Sequence, residues 1–199
     1  IIVVNNHSTN NTENLMLNKF STLKFIQNKI NIGFAAGMNQ AITNASGKYI
    51  LILNPDTISS EGCISILADF LDNHPNTAIC GPKVLNQDGT MQKSCRRGDS
   101  RPLAVMSYFF MLDKLFPSIP MFNRYHLSHI DENEQIKVGG LSGSCMMARY
   151  SVLDSIGNFD EQYFLYQEDS DLCLRVLSSG WNIDFVPDAT IIHTRGQGG

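Results

Sequence analysis

At 199 residues, with 43% apolar and 17% charged positions, the chain has the size of one ordinary domain and is too apolar to stay disordered. Fifteen Lys and Arg against 19 Asp and Glu leave a net charge of −4, without the basic excess of a nucleic-acid binder. Any phosphate group must therefore be held by local loops or by a metal ion. Five scattered cysteines, with no CxxC, read as reduced core thiols of a cytosolic protein. No signal peptide opens the sequence, and its longest apolar run, Leu103 to Leu112, is too short to span a bilayer. This pattern predicts a soluble protein that is at most peripheral to a membrane.

Short β-branched runs alternate with helical stretches, which predicts an α/β fold with a mostly parallel sheet flanked by helices. Ile1-Ile2-Val3-Val4 opens as a buried strand, with no methionine or turn before it. A short helix around Thr12 to Phe20 and a strand around Leu23 to Gln27 follow. The glycine-bearing turn Asn31-Ile32-Gly33-Phe34-Ala35-Ala36-Gly37-Met38-Asn39 leads into a helix that Gly47 is expected to cap. Tyr49-Ile50-Leu51-Ile52-Leu53 is the clearest buried strand and ends at Asn54-Pro55-Asp56. Ser59 or Ser60 should cap the next helix, which Pro75 ends. Residues 80–98 read as turn-rich, and 103–122 as aromatic and Met-rich. Helices are predicted near Arg149 to Ile156 and over Glu168 to Ser178, with Gly180 closing the second. Short strands are predicted at Ile183 to Val186 and Thr190 to Ile192, and His193 sits at the end of the last.

Three features could carry chemistry. Asp56 stands three residues past a strand, where ligands of open α/β sheets gather, and could hold a divalent cation bridging two phosphates. Its plainer role is to close its own turn. Glu168-Asp169-Ser170-Asp171 could supply a general base, since like charges and partial burial raise a carboxylate pKa. The alternative is an acidic first turn that the helix dipole favours. His193 gains interest only beside Asp56, because the five histidines show no metal-ligand spacing. Gly33 and Gly37 do not form GxGxxG, which disfavours a nucleotide-dependent dehydrogenase, and they could serve helix packing alone. Arg96-Arg97 could neutralise phosphate or simply face solvent.

In order, these segments resemble family 2 glycosyltransferases of the rhamnosyltransferase-like branch. The matching stretches are Asn31-x-Gly33-Phe34-Ala35-x-Gly37-x-Asn39, Leu53-Asn54-Pro55-Asp56, Gly81-Pro82-Lys83 and Ser142-Gly143-Ser144-Cys145. The longest runs from Gly157-Asn158-Phe159-Asp160-Glu161 through Phe164-x-Tyr166-x-Glu168-Asp169-x-Asp171-Leu172-Cys173-x-Arg175 to Gly180-Trp181, and His193 closes the set.

The resemblance implies a GT-A (Rossmann-like) fold and an inverting sugar transfer, rhamnose-like, from a nucleotide-diphospho-sugar to a saccharide or polyprenyl-linked acceptor. That work would belong to cell-surface polysaccharide synthesis at the inner face of the cell membrane. Asp169 would be the base, with Glu168 beside it. Asn5, Gly33, Gly37, Asn39, Asn54 and Asp56 would bind the donor, and Ser142, Gly143, Ser144 and Asp171 the acceptor. Asp56 and His193 would hold Mg²⁺ or Mn²⁺. Residues 1–95 would form the nucleotide-sugar-binding part and 96–199 the acceptor-binding and catalytic part of a single domain.

Two departures stand out. The family's opening strand and helix have no counterpart ahead of Ile1, and its usual Asp after the first matched strand is Asn5. Residues 1–199 alone are therefore expected to be a weak or inactive catalyst. The alternative is a truncated, non-catalytic remnant that binds ligand weakly.

Overall fold

The computed structural model describes residues 1–8, 16, 19–20, 22–98, 106, 110–116, 119, 122–123 and 125–194. Most of the Thr12 to Phe20 helix, Phe109, Arg124 and the glycine-rich residues 195–199 lie outside them.

In chain order the strands are β1 (Ile2–Asn5), β2 (Lys24–Gln27), β3 (Tyr49–Leu53), β4 (Thr57–Ser59), β5 (Thr77–Leu85), β6 (Arg96–Arg97), β7 (Ile136–Lys137), β8 (Gly140–Leu141), β9 (Cys145–Arg149) and β10 (Asn182–His193). The principal helices are α1 (Phe34–Thr43), α2 (Cys63–Asn73), α3 (Tyr150–Ile156) and α4 (Glu168–Ser178). The central sheet runs β3-β9-β5-β10-β4, with β7 also on β10; β1-β2 and β6-β8 are separate pairs.

The α/β class stands, but strand direction is more mixed than the alternation of elements predicts. β1 with β2 and β5 with β10 are parallel. β9 is antiparallel to both β3 and β5. It enters from the 142–144 turn and not from a crossover helix, so no βαβ connection sets its direction.

Several element boundaries also differ from expectation. Thr77–Leu85 is one strand, buried at seven of its nine positions. Gly81-Pro82 inside it marks close packing: a Cβ on Gly81 would come within 2.9 Å of Leu141 Cδ1. Ile183 to Val186 and Thr190 to Ile192 belong to one strand, β10, whose register shifts between Val186 and Thr190. α1 ends at Thr43 with Asn44 as its cap, ahead of Gly47. α2 begins after Gly62, because Thr57–Ser59 is drawn into a strand against β10.

The core joins Ile50 and Ile52 of β3, Leu67 and Leu71 of α2, Ile79 of β5, Met146 of β9, Leu172 and Val176 of α4, and Phe185 of β10. All five cysteines are free and buried, as small apolar side chains would be. Burial pushes the Cys145 thiol up to about 12 and the Cys173 thiol up to about 11.

Candidate active site

The site forms where β3, the 142–144 turn, the start of α4 and the end of β10 converge. At the end of β3, the Asn54 N–H donates to the Ser144 carbonyl at 2.9 Å, which ties the two turns together. The Thr57 hydroxyl donates to the Asn54 carbonyl at 2.7 Å and tightens the Asn-Pro-Asp turn. The Asp56 carbonyl accepts from the Thr194 N–H at 2.9 Å and its hydroxyl at 3.0 Å, so the end of β10 is laced to this turn. That lacing brings two sequence-distant groups together: Asp56 Oδ1 lies 3.2 Å from His193 Nε2, both side chains being largely buried.

Gln92 holds the histidine in place. Its amide N–H donates to the His193 carbonyl at 3.0 Å, and its oxygen faces Nδ1 at 3.2 Å. Nε2 is therefore the ring atom presented to Asp56. Two ligands about 2.1 Å from one cation and at right angles are about 3 Å apart, so the Asp56–His193 pair fits a divalent ion. Among the described residues no third His, Cys, Asp or Glu joins them. A cation completed by phosphate oxygens has that sparse protein ligation.

The carboxylate side is built by α4. Asp169 Oδ2 accepts from the Gly143 N–H at 3.0 Å and lies 3.0 Å from Arg97 Nη2. Among the described residues, Oδ1 accepts only the Ser170 hydroxyl, at 3.2 Å. One carboxylate oxygen is thus held by one N–H donor and an ion pair, and the other faces a movable hydroxyl. Glu168 is 7% exposed, its Oε2 is buried with no hydrogen-bond partner among the described residues, and burial pushes its carboxyl above its ordinary value. The adjacent Asp169 charge acts in the same direction, and Arg97 opposes it. Ser142 supports the loop by accepting from the Ser144 N–H at 3.3 Å, while the Ser144 hydroxyl is buried with no partner among the described residues.

Other predicted residues stand apart from these contacts. Asp171, two positions along α4 from Asp169, faces away from it and binds Arg175 at 2.8 Å. Arg175 also donates to the carbonyls of Ile156 and Asn158, so Asp171 braces the α3–α4 connection and not the 142–144 turn. Asn39 clamps the same connection, donating to the Phe159 carbonyl and accepting from the Phe159 N–H at 3.0 Å. Asn5 closes the β1–β2 pair through Gln27 at 2.9 Å and accepts from the Ser8 N–H. Gly37 packs α1 on β1 near Val4 and Asn6. Gly33, at φ +88°, lets the 163–167 segment approach: a Cβ there would stand 2.6 Å from the Phe164 carbonyl oxygen.

Sequence reasoning gave no role to Gln92, and nothing in its neighbours distinguishes it. Arg96 and Arg97, read as one basic pair, divide. Arg96 is buried over the Phe185 ring and donates to the Ile130 and Asp131 carbonyls, a structural role that excludes it from binding phosphate. Arg97 reaches Asp169 instead.

The chain is 28% identical over 204 residues to the N-acetylglucosaminyl-diphospho-decaprenol L-rhamnosyltransferase of Mycobacterium tuberculosis, covering 97% of this chain and 66% of that protein. It is 30% identical over 154 residues to the rhamnosyltransferase WbbL of Escherichia coli K12, covering 75% of this chain and 53% of that protein. The chain thus spans about two thirds of one relative's length and half of the other's. Among solved structures, GalNAc-T7 with UDP, GalNAc and Mn²⁺ superposes with a TM-score of 0.68 at 13% identity, over 98% of this chain and 37% of that one. That likeness gives the GT-A fold. The sequence profile of glycosyl transferase family 2 matches residues 1–157, and with more than half of its length matched the chain belongs to that family.

Proposed function

We propose that this chain is the catalytic part of an inverting, metal-dependent glycosyltransferase of cell-surface glycan synthesis. It moves a rhamnose-like sugar from a nucleoside-diphosphate donor to a saccharide or polyprenyl-linked acceptor. The observation that carries the reading is the pairing of a half-anchored carboxylate, Asp169, with the Asp56–His193 pair across turns that are hydrogen-bonded to each other.

The acceptor hydroxyl gives its proton to Asp169 Oδ1, the oxygen that Arg97 and Gly143 leave open. The acceptor oxygen forms its new bond to the anomeric carbon as the bond from that carbon to the donor phosphate oxygen breaks. The electron pair of the broken bond leaves on the diphosphate. One displacement inverts the anomeric centre and needs only one carboxylate base, unlike a retaining hydrolase. Asp56 and His193 would hold Mg²⁺ or Mn²⁺, which supplies neutralisation of the diphosphate charge. Asn54 sits in the same turn. Asn5, Gly33, Gly37 and Asn39 shape the donor side, while Ser142, Gly143 and Ser144 face the acceptor. Two relatives named as rhamnosyltransferases, one of a diphospho-decaprenol acceptor, support this choice of substrates.

The second reading is a domain that binds ligand and transfers weakly. It is favoured by the separation of β1–β2 from the central sheet: among the described residues, β1 pairs with β2 alone and β3 with β9 alone. Exposed Phe110, Leu115 and Phe116 support peripheral contact with a membrane or a lipid-linked acceptor. Asp169→Asn tests the catalytic reading. Transfer from a nucleoside-diphospho-L-rhamnose should be lost while Mn²⁺-dependent UDP binding persists, and transfer at the parent rate would overturn it.

A further inference from the structure

We infer that Arg97 is the positioning residue of Asp169, holding the carboxylate so that one oxygen stays open for the acceptor proton. The inference rests on the reading of Asp169 as the base. A single nitrogen, Arg97 Nη2, lies 2.6 Å from the Leu141 carbonyl oxygen and 3.0 Å from Asp169 Oδ2. It therefore joins the first turn of α4 to β8, the strand that leads into the 142–144 turn. The same Oδ2 receives the Gly143 N–H from that turn at 3.0 Å.

Arg97 is itself held in place. β6 pairs antiparallel with β8, setting Arg97 opposite Gly140, and the Arg97 carbonyl accepts from the Gly139 N–H at 2.8 Å. Both side chains of the ion pair are 14% exposed, so water competes weakly for it. The chemistry suits a support better than a reactant. Arginine stays protonated across the working pH range and cannot take the acceptor's proton. What it can do is fix the carboxylate's rotation. Without it, Asp169 would be secured at Oδ2 by Gly143 alone, and either oxygen could swing away from the acceptor. A displacement of about 1 Å in such a group can cost about 10²-fold in rate. Lysine could bring one nitrogen to the same place, though as a point charge on a flexible stem.

The experiment compares the parent chain with R97A, R97K and D169N. Transfer is followed with a radiolabelled nucleoside-diphospho-L-rhamnose and an N-acetylglucosaminyl-diphospho-prenol, and Mn²⁺-dependent binding with UDP. R97A should lower kcat by about 10²-fold while leaving the donor KM and UDP affinity within about twofold. R97K should recover part of the loss, and guanidinium ion, added far below denaturing concentrations, should partly restore R97A. A second measurement needs no turnover. The Gly143 amide proton reports its hydrogen bond to Asp169 Oδ2, so its NMR shift should move, and its exchange protection fall, in both R97A and D169N. An inactive D169N beside a fully active R97A would overturn the inference and leave Asp169 as base. An active D169N would overturn the base assignment itself. An unchanged Gly143 signal in R97A would show that Arg97 does not position the carboxylate.

Discussion

Gly33→Ala tests how the approach to the base is held. Gly33 stands ahead of α1 at φ +88°, and an added Cβ would lie 2.6 Å from the Phe164 carbonyl oxygen. That oxygen accepts the Phe34 N–H at 2.9 Å, so the colliding atom belongs to a backbone contact that cannot swing aside. At φ +88° and ψ +168° Gly33 occupies an essentially glycine-only region, where an L side chain costs about 1–3 kcal/mol. Losing the hydrogen bond adds about 0.5–1.5 kcal/mol. The sum, about 1.5–4.5 kcal/mol, should lower the melting temperature by roughly 3–18 °C for a chain of this size. Gly37→Ala is the control. Its added Cβ would meet Asn6 Nδ2 at 3.3 Å, a side-chain amide bonded to the Gly33 carbonyl that need give only a few tenths of an ångström, and alanine is favoured inside a helix, so its net effect should stay within about 1 kcal/mol. Thermal unfolding by circular dichroism reads both variants. Because the 163–167 segment leads directly into Glu168 and Asp169, Gly33→Ala should also lower transfer more than donor binding. A Gly33→Ala protein that melts within about 1 °C of the parent would refute the reasoning, since that shift is worth well under 1 kcal/mol.

Asp56→Ala should abolish the Mn²⁺-dependent part of UDP binding in titration calorimetry and leave the circular dichroism spectrum unchanged; intact Mn²⁺ dependence would remove Asp56 from the metal site. Glu168 carries a carboxyl raised by burial, so the folded state holds its proton more tightly than the unfolded state does. Its contribution is fully present below the unfolded pKa and lost as pH rises through the folded one. Glu168→Gln should therefore be more stable than the parent at pH 7.5 and lose that advantage near pH 4, as read by urea unfolding at both values. The five buried thiols should resist a thiol reagent in the native chain and react on unfolding, with fast native labelling as the contrary result. Phe110→Ser with Phe116→Ser should reduce co-sedimentation with anionic liposomes, and unchanged sedimentation would discard the membrane contact.

The sequence revealed what repeats locally and concealed what is assembled from afar. Tyr49–Leu53 and Glu168–Ser178 were legible because a β-branched run and an amphipathic stretch with an acidic first turn each carry their own signal. Thr77–Leu85 was obscured because Gly81 and Pro82 usually break strands; here Gly81 makes room for Leu141, a tertiary demand that the local sequence does not display. The same division runs through the site. Asp56 and Asp169 could be picked out by their positions after a strand and at a helix start. Their partners could not: Arg97 lies 72 positions before Asp169, and Gln92 lies 101 positions before His193. Gly143 contributes only a backbone N–H, which any non-proline residue would also supply. The groups proposed to react thus carry a local signature, whereas the groups that orient them are selected by the sheet that brings them together. Substitution of Arg97 should change kcat before donor affinity, because Asp169 loses its orientation while the Asp56–His193 pair keeps Gln92 and Thr194 as its supports.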